Sequence, residues 1–316
     1  MSTGVASTVE TAASDLGAGL PAEDVVRAKA GQENFPVASR LLPRSSRRHL
    51  LAVYGFARLA DDIGDEGSDP PEVRLERLAW LTAQVDLAFT GQATHPIMRT
   101  LTPTIRACGL SPDPFHQLIE ANRQDQLVTR YATWDDLRSY CELSANPVGR
   151  LVLQVFAVDD AERRRLSDDV CTGLQLAEHL QDVGEDAARG RVYLPMEDLA
   201  QEGCDEADLR AAHASRRLRR VVAMEAARTR PLLESGRSLT ATLRGRPRLA
   251  VAAFTAGGHA ALDAIERAAY DVLGHKVRPA RRQVARRMLS VVLGAGEAAG
   301  GHGFTPRAAS DDGRQP

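Results

Sequence analysis

The chain has 316 residues, 43% of them apolar and 26% charged, with a formal net charge of −2. That length buries a substantial core, and so balanced a charge offers no electrostatic footprint for nucleic acid, which excludes that class of partner. Four cysteines, Cys108, Cys141, Cys171 and Cys204, have no CxxC spacing and no paired histidine, which speaks against zinc and fits reduced thiols in a cytoplasm.

Residues 1–21 are small and polar and are expected to be disordered, as is the tail 298–316. Between them, over 22–297, the periodicity is helical nearly throughout. Alternating β-branched runs with hairpin turns are missing, and aromatics are only 4%. A short helix is expected at 22–30, followed by GQENFPVASRLLP, where Pro36 and Pro43 bracket a turn or brief helix. The helix carrying LLAVYGFARLADDIGDE (50–66) comes next and stops at Gly67, Ser68 and the Pro70–Pro71 pair. Pro71 starts a helix running to about Phe89. Another reaches Cys108 and stops at Gly109, and SPDP opens a further one to about Leu127.

Thr133 with Asp136 three residues on makes a near capping box at the head of the next helix. That helix should kink or break at Asn146–Pro147, because a proline removes a backbone hydrogen bond. Ser167 is expected to cap the helix carrying LQLAEHLQDVGED (174–186), which frays from Gly184 to Gly190 and gives way to RVYLP. Later helices span about 206–235, 248–273 and 279–294. The architecture expected is one all-α domain. No apolar run approaches a membrane span and the N-terminus lacks a secretion signal, so a soluble, cytoplasmic chain is expected, at most peripheral to a membrane. The basic stretches Arg216–Arg220 and Arg278–Arg287 read as solvated helix faces, with anionic lipid headgroups as the alternative.

Two acidic clusters carry the chemistry. Leu50, Tyr54 and Ala57 form an apolar stripe that leads on to Asp61 and Asp65, which places both carboxylates on a face expected to be buried. Carboxylates at i, i+4 repel by a few tenths of a kcal/mol even when exposed, and more when buried without partners, so a cation is expected to meet them. The arrangement recurs at Asp182 and Asp186, with Glu178 one turn earlier. Two such faces across a cavity form an oxygen cage suited to Mg²⁺ and a diphosphate. The matching reaction is loss of pyrophosphate to leave a carbocation in a dry apolar pocket. Arg58, one turn before Asp61, and Arg191 and Tyr193, after the second cluster, are placed to assist the leaving group. Each feature also has a plainer reading. A single DxxxD is common on acidic surfaces, Glu178 serves equally as a third ligand or an arginine's partner, and Arg58 taken alone is more often a structural counter-ion than a phosphate ligand. His49, His179 and His259 stand alone and read as core or surface residues.

AVYGFARLADDIGDE and GLQLAEHLQDVGEDAARGRVYLP resemble the squalene/phytoene synthase family, over about residues 25–295. The resemblance implies an all-α isoprenoid synthase bundle around a central apolar cavity, dependent on Mg²⁺ and acting on prenyl diphosphates. By it, Asp61, Asp65, Asp182 and Asp186 match the family's metal-binding aspartates. Tyr54, Arg58, Gln175, Arg191 and Tyr193 fall on positions around the diphosphates, and Phe35 in ENFPVASRLLP on the aromatic of the first substrate-pocket motif. ENFPVASRLLP, ADDIGDEG and SANPVGRLVL further resemble the hopanoid-pathway branch, which implies presqualene diphosphate as substrate and water capture of the cation. Where relatives read AGxVG, this chain has Ala145–Gly149 with Asn146 and Pro147 inside it, so Asn146 is a candidate to hold the quenching water. Glu178 departs from the family's usual Asn and bears on metal ligation.

Two other functions stay open. One is a head-to-head synthase that condenses farnesyl or geranylgeranyl diphosphates to presqualene diphosphate, squalene or phytoene. The other is a non-catalytic helical partner of a sister synthase. A reductive step is disfavoured, since no Gly-rich dinucleotide loop follows a strand.

Overall fold

The computed structural model describes residues 44–274 and 277–300. The short helix at 22–30 and Phe35 lie outside them. Helix α1 (Arg44–Asp65) is followed by α2 (Pro71–Thr90), α3 (Pro96–Cys108) and α4 (Asp113–Gln124). Then come α5 (Trp134–Ser144), α6 (Asn146–Val155), α7 (Ala161–Ala188) and α8 (Met196–Gln201). A 3₁₀ turn (Asp208–Arg210), α9 (Arg216–Thr242), α10 (Gly245–Arg267) and α11 (Arg281–Gly300) complete the order. The all-α expectation holds. Among the described residues, extended pairing is confined to one bridge between Arg130 and Val192.

The helix limits have local causes. Pro71 opens α2, where a missing N–H leaves nothing unsatisfied. Gly91 and Gly109 close α2 and α3 in the left-handed conformation, at φ 82° and 62°. Thr133 and Asp136 form the full capping box of α5. The expected break appears between Ser144 and Asn146, with Pro147 in the first turn of α6. Ser167 does not cap α7. The helix starts at Ala161, where the Asp160 carboxylate accepts the Arg163 N–H at 2.9 Å, and Ser167 is buried inside it. The helix also runs past Gly184 to Ala188 before it ends. The 206–235 helix begins only at Arg216, because Asp205 folds 205–210 into a tight turn by accepting the N–H groups of Ala207 and Asp208.

Among the described residues two large apolar cores form, with two smaller clusters beside them. One joins α1–α4 and α6 through Leu50, Val53, Phe56, Leu59, Ile63, Leu81, Leu101 and Phe115. Full burial of each such side chain contributes about 1.5–3 kcal/mol. The other joins α7–α10 around Leu180, Leu199, Leu218, Val222, Leu233, Leu262 and Ile265. α9 lies close on α10 because Gly236 has no side chain: a Cβ there would sit 2.3 Å from Thr255 Oγ1. α1 packs on α2, α3, α4 and α6, and α7 packs on α5, α6, α9 and α10. The two acid-bearing helices therefore stand apart, with α4, α5 and α6 bridging between them.

Candidate active site at the ends of two acidic helices

Asp61 and Asp65 lie in the last two turns of α1, and Asp182 and Asp186 in the last two turns of α7. A helix's C-terminal end carries partial negative charge, so carboxylates there are disfavoured twice, by the dipole and by each other.

On α1 the burial differs from expectation. Asp61 and Asp65 are exposed, and it is Asp62 that is buried, 6% accessible. The buried stripe is Leu50, Val53, Phe56, Leu59 and Ile63, and Tyr54, Ala57, Arg58, Asp61 and Asp65 form the adjacent half-open face. Arg58 points to Asp62 at 2.7 Å and also pairs with Glu66, so it is held as a counter-ion. Tyr54 lines a cleft of about 260 Å³ between α1 and α3, beside His49 and Thr104. Gly64 lets α4 approach: a Cβ there would sit 2.2 Å from Asn122 Oδ1. Asn122 Nδ2 lies 3.5 Å from Asp61 Oδ1, and Gln126 Nε2 donates to the Gly64 carbonyl at 3.1 Å.

On α7 the acids are more enclosed. Asp186 is pushed up to about 7, first by burial and then by Asp182, with Glu178 adding and Arg189 and Arg191 opposing. Glu178, exposed on the same helix, thus belongs to this cluster electrostatically. Gln175 Nε2 lies 3.2 Å from His179 Nε2. His179 is buried and held neutral, at about 3, by desolvation.

One side chain spans the two helix ends. Arg191 Nη1 reaches Asp65 Oδ1 at 2.7 Å, while its charge also bears on Asp186 and Asp125. Its segment is fixed by the backbone: Val192 N–H donates to Thr129 and Met196 N–H to Tyr131, both at 2.9 Å. Beside it, Tyr193 stacks on His179 at 3.9 Å and faces Tyr131 at 5.8 Å and Tyr140 at 5.7 Å. Tyr193 and Tyr140 both donate to Asp125, at 3.2 and 2.7 Å.

Asn146 is buried at the α5–α6 break, and its Oδ1 accepts the Thr172 hydroxyl at 3.0 Å. Thr172 is three residues before Gln175 on α7, and ten before Asp182, which is about 15 Å along a helix axis. Asn146 also lines a polar cleft with Arg138, Arg150 and Asp168.

Among the described residues no three His, Cys, Asp or Glu side chains converge closely enough, as they stand, to hold a metal ion. The donor chemistry nonetheless fits a hard cation. All the candidates are carboxylates, both pairs sit at negative helix ends, and Asp186 keeps a proton near neutrality, first through burial and then through Asp182 beside it. Sequence reasoning missed Asn122, Asp125, Gln126, Tyr131, Tyr140 and the placement of His179. One signal was available. Three of only five tyrosines gather here, an enrichment in an aromatic-poor chain that distant numbering hides.

The all-α bundle is that of the helical isoprenoid synthases, enzymes that process prenyl diphosphates. The profile of the squalene/phytoene synthase family matches residues 28–287, so the chain belongs to that family, whose members depend on divalent metal. Hydroxysqualene synthase of Zymomonas mobilis is 37% identical over 72% of this chain and 76% of its own length. That of Rhodopseudomonas palustris is 37% identical over 74% and 76%. The solved squalene synthase HpnC of Alicyclobacillus acidocaldarius superposes with a TM-score of 0.72 at 43% identity, covering 78% of this chain and 94% of that one.

Proposed function

We propose that the protein is a hydroxysqualene synthase that expels pyrophosphate from presqualene diphosphate and lets water capture the cation. The ion pair of Arg191 with Asp65, made while its charge also bears on Asp186, carries this reading, and the likeness to hydroxysqualene synthases supports it. Asp61, Asp65, Glu178, Asp182 and Asp186 would hold Mg²⁺, which when bound offsets the charge that builds on the departing diphosphate.

Arg191 then binds diphosphate oxygens, exchanging Asp65 for them, while Arg58, Gln175 and Tyr193 line their surroundings and Phe35 the hydrocarbon. The bond from carbon to the diphosphate oxygen breaks, and its electron pair leaves with pyrophosphate. Water adds to the cation and loses one proton to that pyrophosphate, which completes the alcohol. The buried carboxamide of Asn146 is proposed to hold this water, and Tyr54 to close the first-cluster side. Peripheral contact with anionic lipid is proposed for α11, where Arg282, Arg286 and Leu289 share an exposed face.

Purified protein incubated with Mg²⁺ and either presqualene or farnesyl diphosphate, with products identified by mass spectrometry, tests the reading. Hydroxysqualene from presqualene diphosphate is the expected result. Presqualene diphosphate or squalene formed from farnesyl diphosphate alone would favour the condensing synthase. Pyrophosphate release from neither would favour a non-catalytic partner of a sister synthase.

A further inference from the structure

Asp125 caps the C-terminal end of α4, and its carboxylate gathers two phenols from separate parts of the chain. Tyr140 comes from α5 and Tyr193 from the segment after α7, and both hydroxyls donate to it. A phenol has a single proton to give. Once that proton points at Asp125, the oxygen has only lone pairs left for any other partner. Whatever else meets these oxygens must be a donor or a cation.

We propose that Asp125 is a positioning residue for the reaction: it draws the hydroxyl protons of Tyr140 and Tyr193 onto itself, so that both phenol oxygens face any further partner as acceptors only. The kinetic consequence rests on the function proposed above. A hydroxyl free to rotate could aim the positive end of its dipole at a developing carbocation, opposing it. Fixed in the other sense, it favours the cation, as the neighbouring aromatic faces do. A water held by such an oxygen donates to it and keeps its own lone pairs directed outward, the orientation that capture of a cation needs.

The surroundings make Asp125 a strong acceptor. Arg191 lies beside it and is bonded on its other side to Asp65. Burial and Asp65 raise the carboxyl to about 6, against the hydrogen bonds from Tyr140 and Tyr193 and the charge of Arg191, so it is mainly ionised at neutral pH. A charge-assisted bond to a phenol is about twice as strong as a neutral one.

The test compares Asp125→Asn, Asp125→Glu and Tyr193→Phe with the parent protein in two measurements. The first, near-ultraviolet absorbance of the metal-free protein, needs no turnover. A tyrosine donating to a carboxylate absorbs further to the red, so Asp125→Asn is expected to shift the band to the blue and Asp125→Glu to restore it. No shift overturns the proposal even if the parent protein proves inert towards presqualene diphosphate, a result that would count against the proposed function alone. The second measurement is turnover. Asp125→Asn is expected to lower kcat by about 10–100-fold, the loss of one or two bonds to a charged group. KM should change little, and the product mixture should move from alcohol towards elimination products. An unchanged kcat and product ratio overturns the proposal, as does a loss that Asp125→Glu shares in full together with a lowered Tm. If Asp125→Asn does not fold, Tyr193→Phe decides: a shifted product ratio supports the assignment and an unchanged one overturns it.

Discussion

The ends of α1 and α7 carry the same DxxxD spacing in different surroundings. On α1, Arg58 serves Asp62 and Glu66, Arg191 serves Asp65, and Asn122 approaches Asp61. On α7, Asp186 is enclosed beside Asp182 and Glu178 and sits near 7. One end is exposed, with cations and amides set against it, and at the other three acids crowd one helix face, where burial and Asp182 outweigh Arg189 and Arg191 at Asp186. An added cation therefore relieves more repulsion at α7 than at α1, although both pairs look alike as text.

The strongest test of that asymmetry removes single carboxylates. Asp186→Ala and Asp182→Ala should each lower pyrophosphate release by about 100-fold or more, several kcal/mol of charge stabilisation. Asp61→Ala should leave Mg²⁺ affinity less affected than either. Equal loss of affinity in all three, read by metal titration, would erase the difference between the two ends. A smaller effect is expected from Arg191→Met, which cuts the span between them. kcat/KM should fall by about 10–100-fold, with Arg191→Lys recovering part of it. Full activity in the methionine variant would mean the span is incidental.

Protons sharpen the same contrast. In the folded, metal-free protein Asp186 keeps a proton up to about 7, whereas the unfolded chain loses it near the ordinary carboxyl value. This group therefore favours folding less as pH rises from the ordinary value to about 7, and the penalty is complete above that. A bound cation must displace the proton, so affinity should climb with pH through about 7 and level off above it. Calorimetry in buffers of different ionisation enthalpy should show proton release at about pH 6 and almost none at about pH 8. Release that survives Asp186→Asn would assign the proton elsewhere. The smallest effect expected is that of Asn146→Gly, a change in product ratio with turnover largely kept. Hydroxysqualene persisting as sole product would remove Asn146 from the water's path.

The fold was legible because its signals are local. The prolines and glycines at 70–71, 91 and 109 and the Thr133–Asp136 box mark helix limits within a few residues of themselves. The error at Ser167 was local too: Asp160 is the stronger acceptor, and the helix had already begun. The acidic motifs announced the site, yet their burial was misjudged on α1. The periodicity defined a face correctly but not which of two adjacent faces the first core would cover. Asp125 and the two tyrosines that join Tyr193 stayed hidden for a different reason. Their partnership forms across 68 residues in the Asp125–Tyr193 bond, a distance at which no spacing rule operates.

The contact between Arg191 and Asp65 bears on how the empty protein behaves. A cluster of carboxylates with no counter-charge of its own would push its helices apart until metal arrived, and folding would wait for the ion. Here a positive charge tethered to the chain bridges the acidic ends beforehand. Stripping divalent ions should therefore silence catalysis and yet leave a helical, cooperatively melting protein, ready to be reloaded.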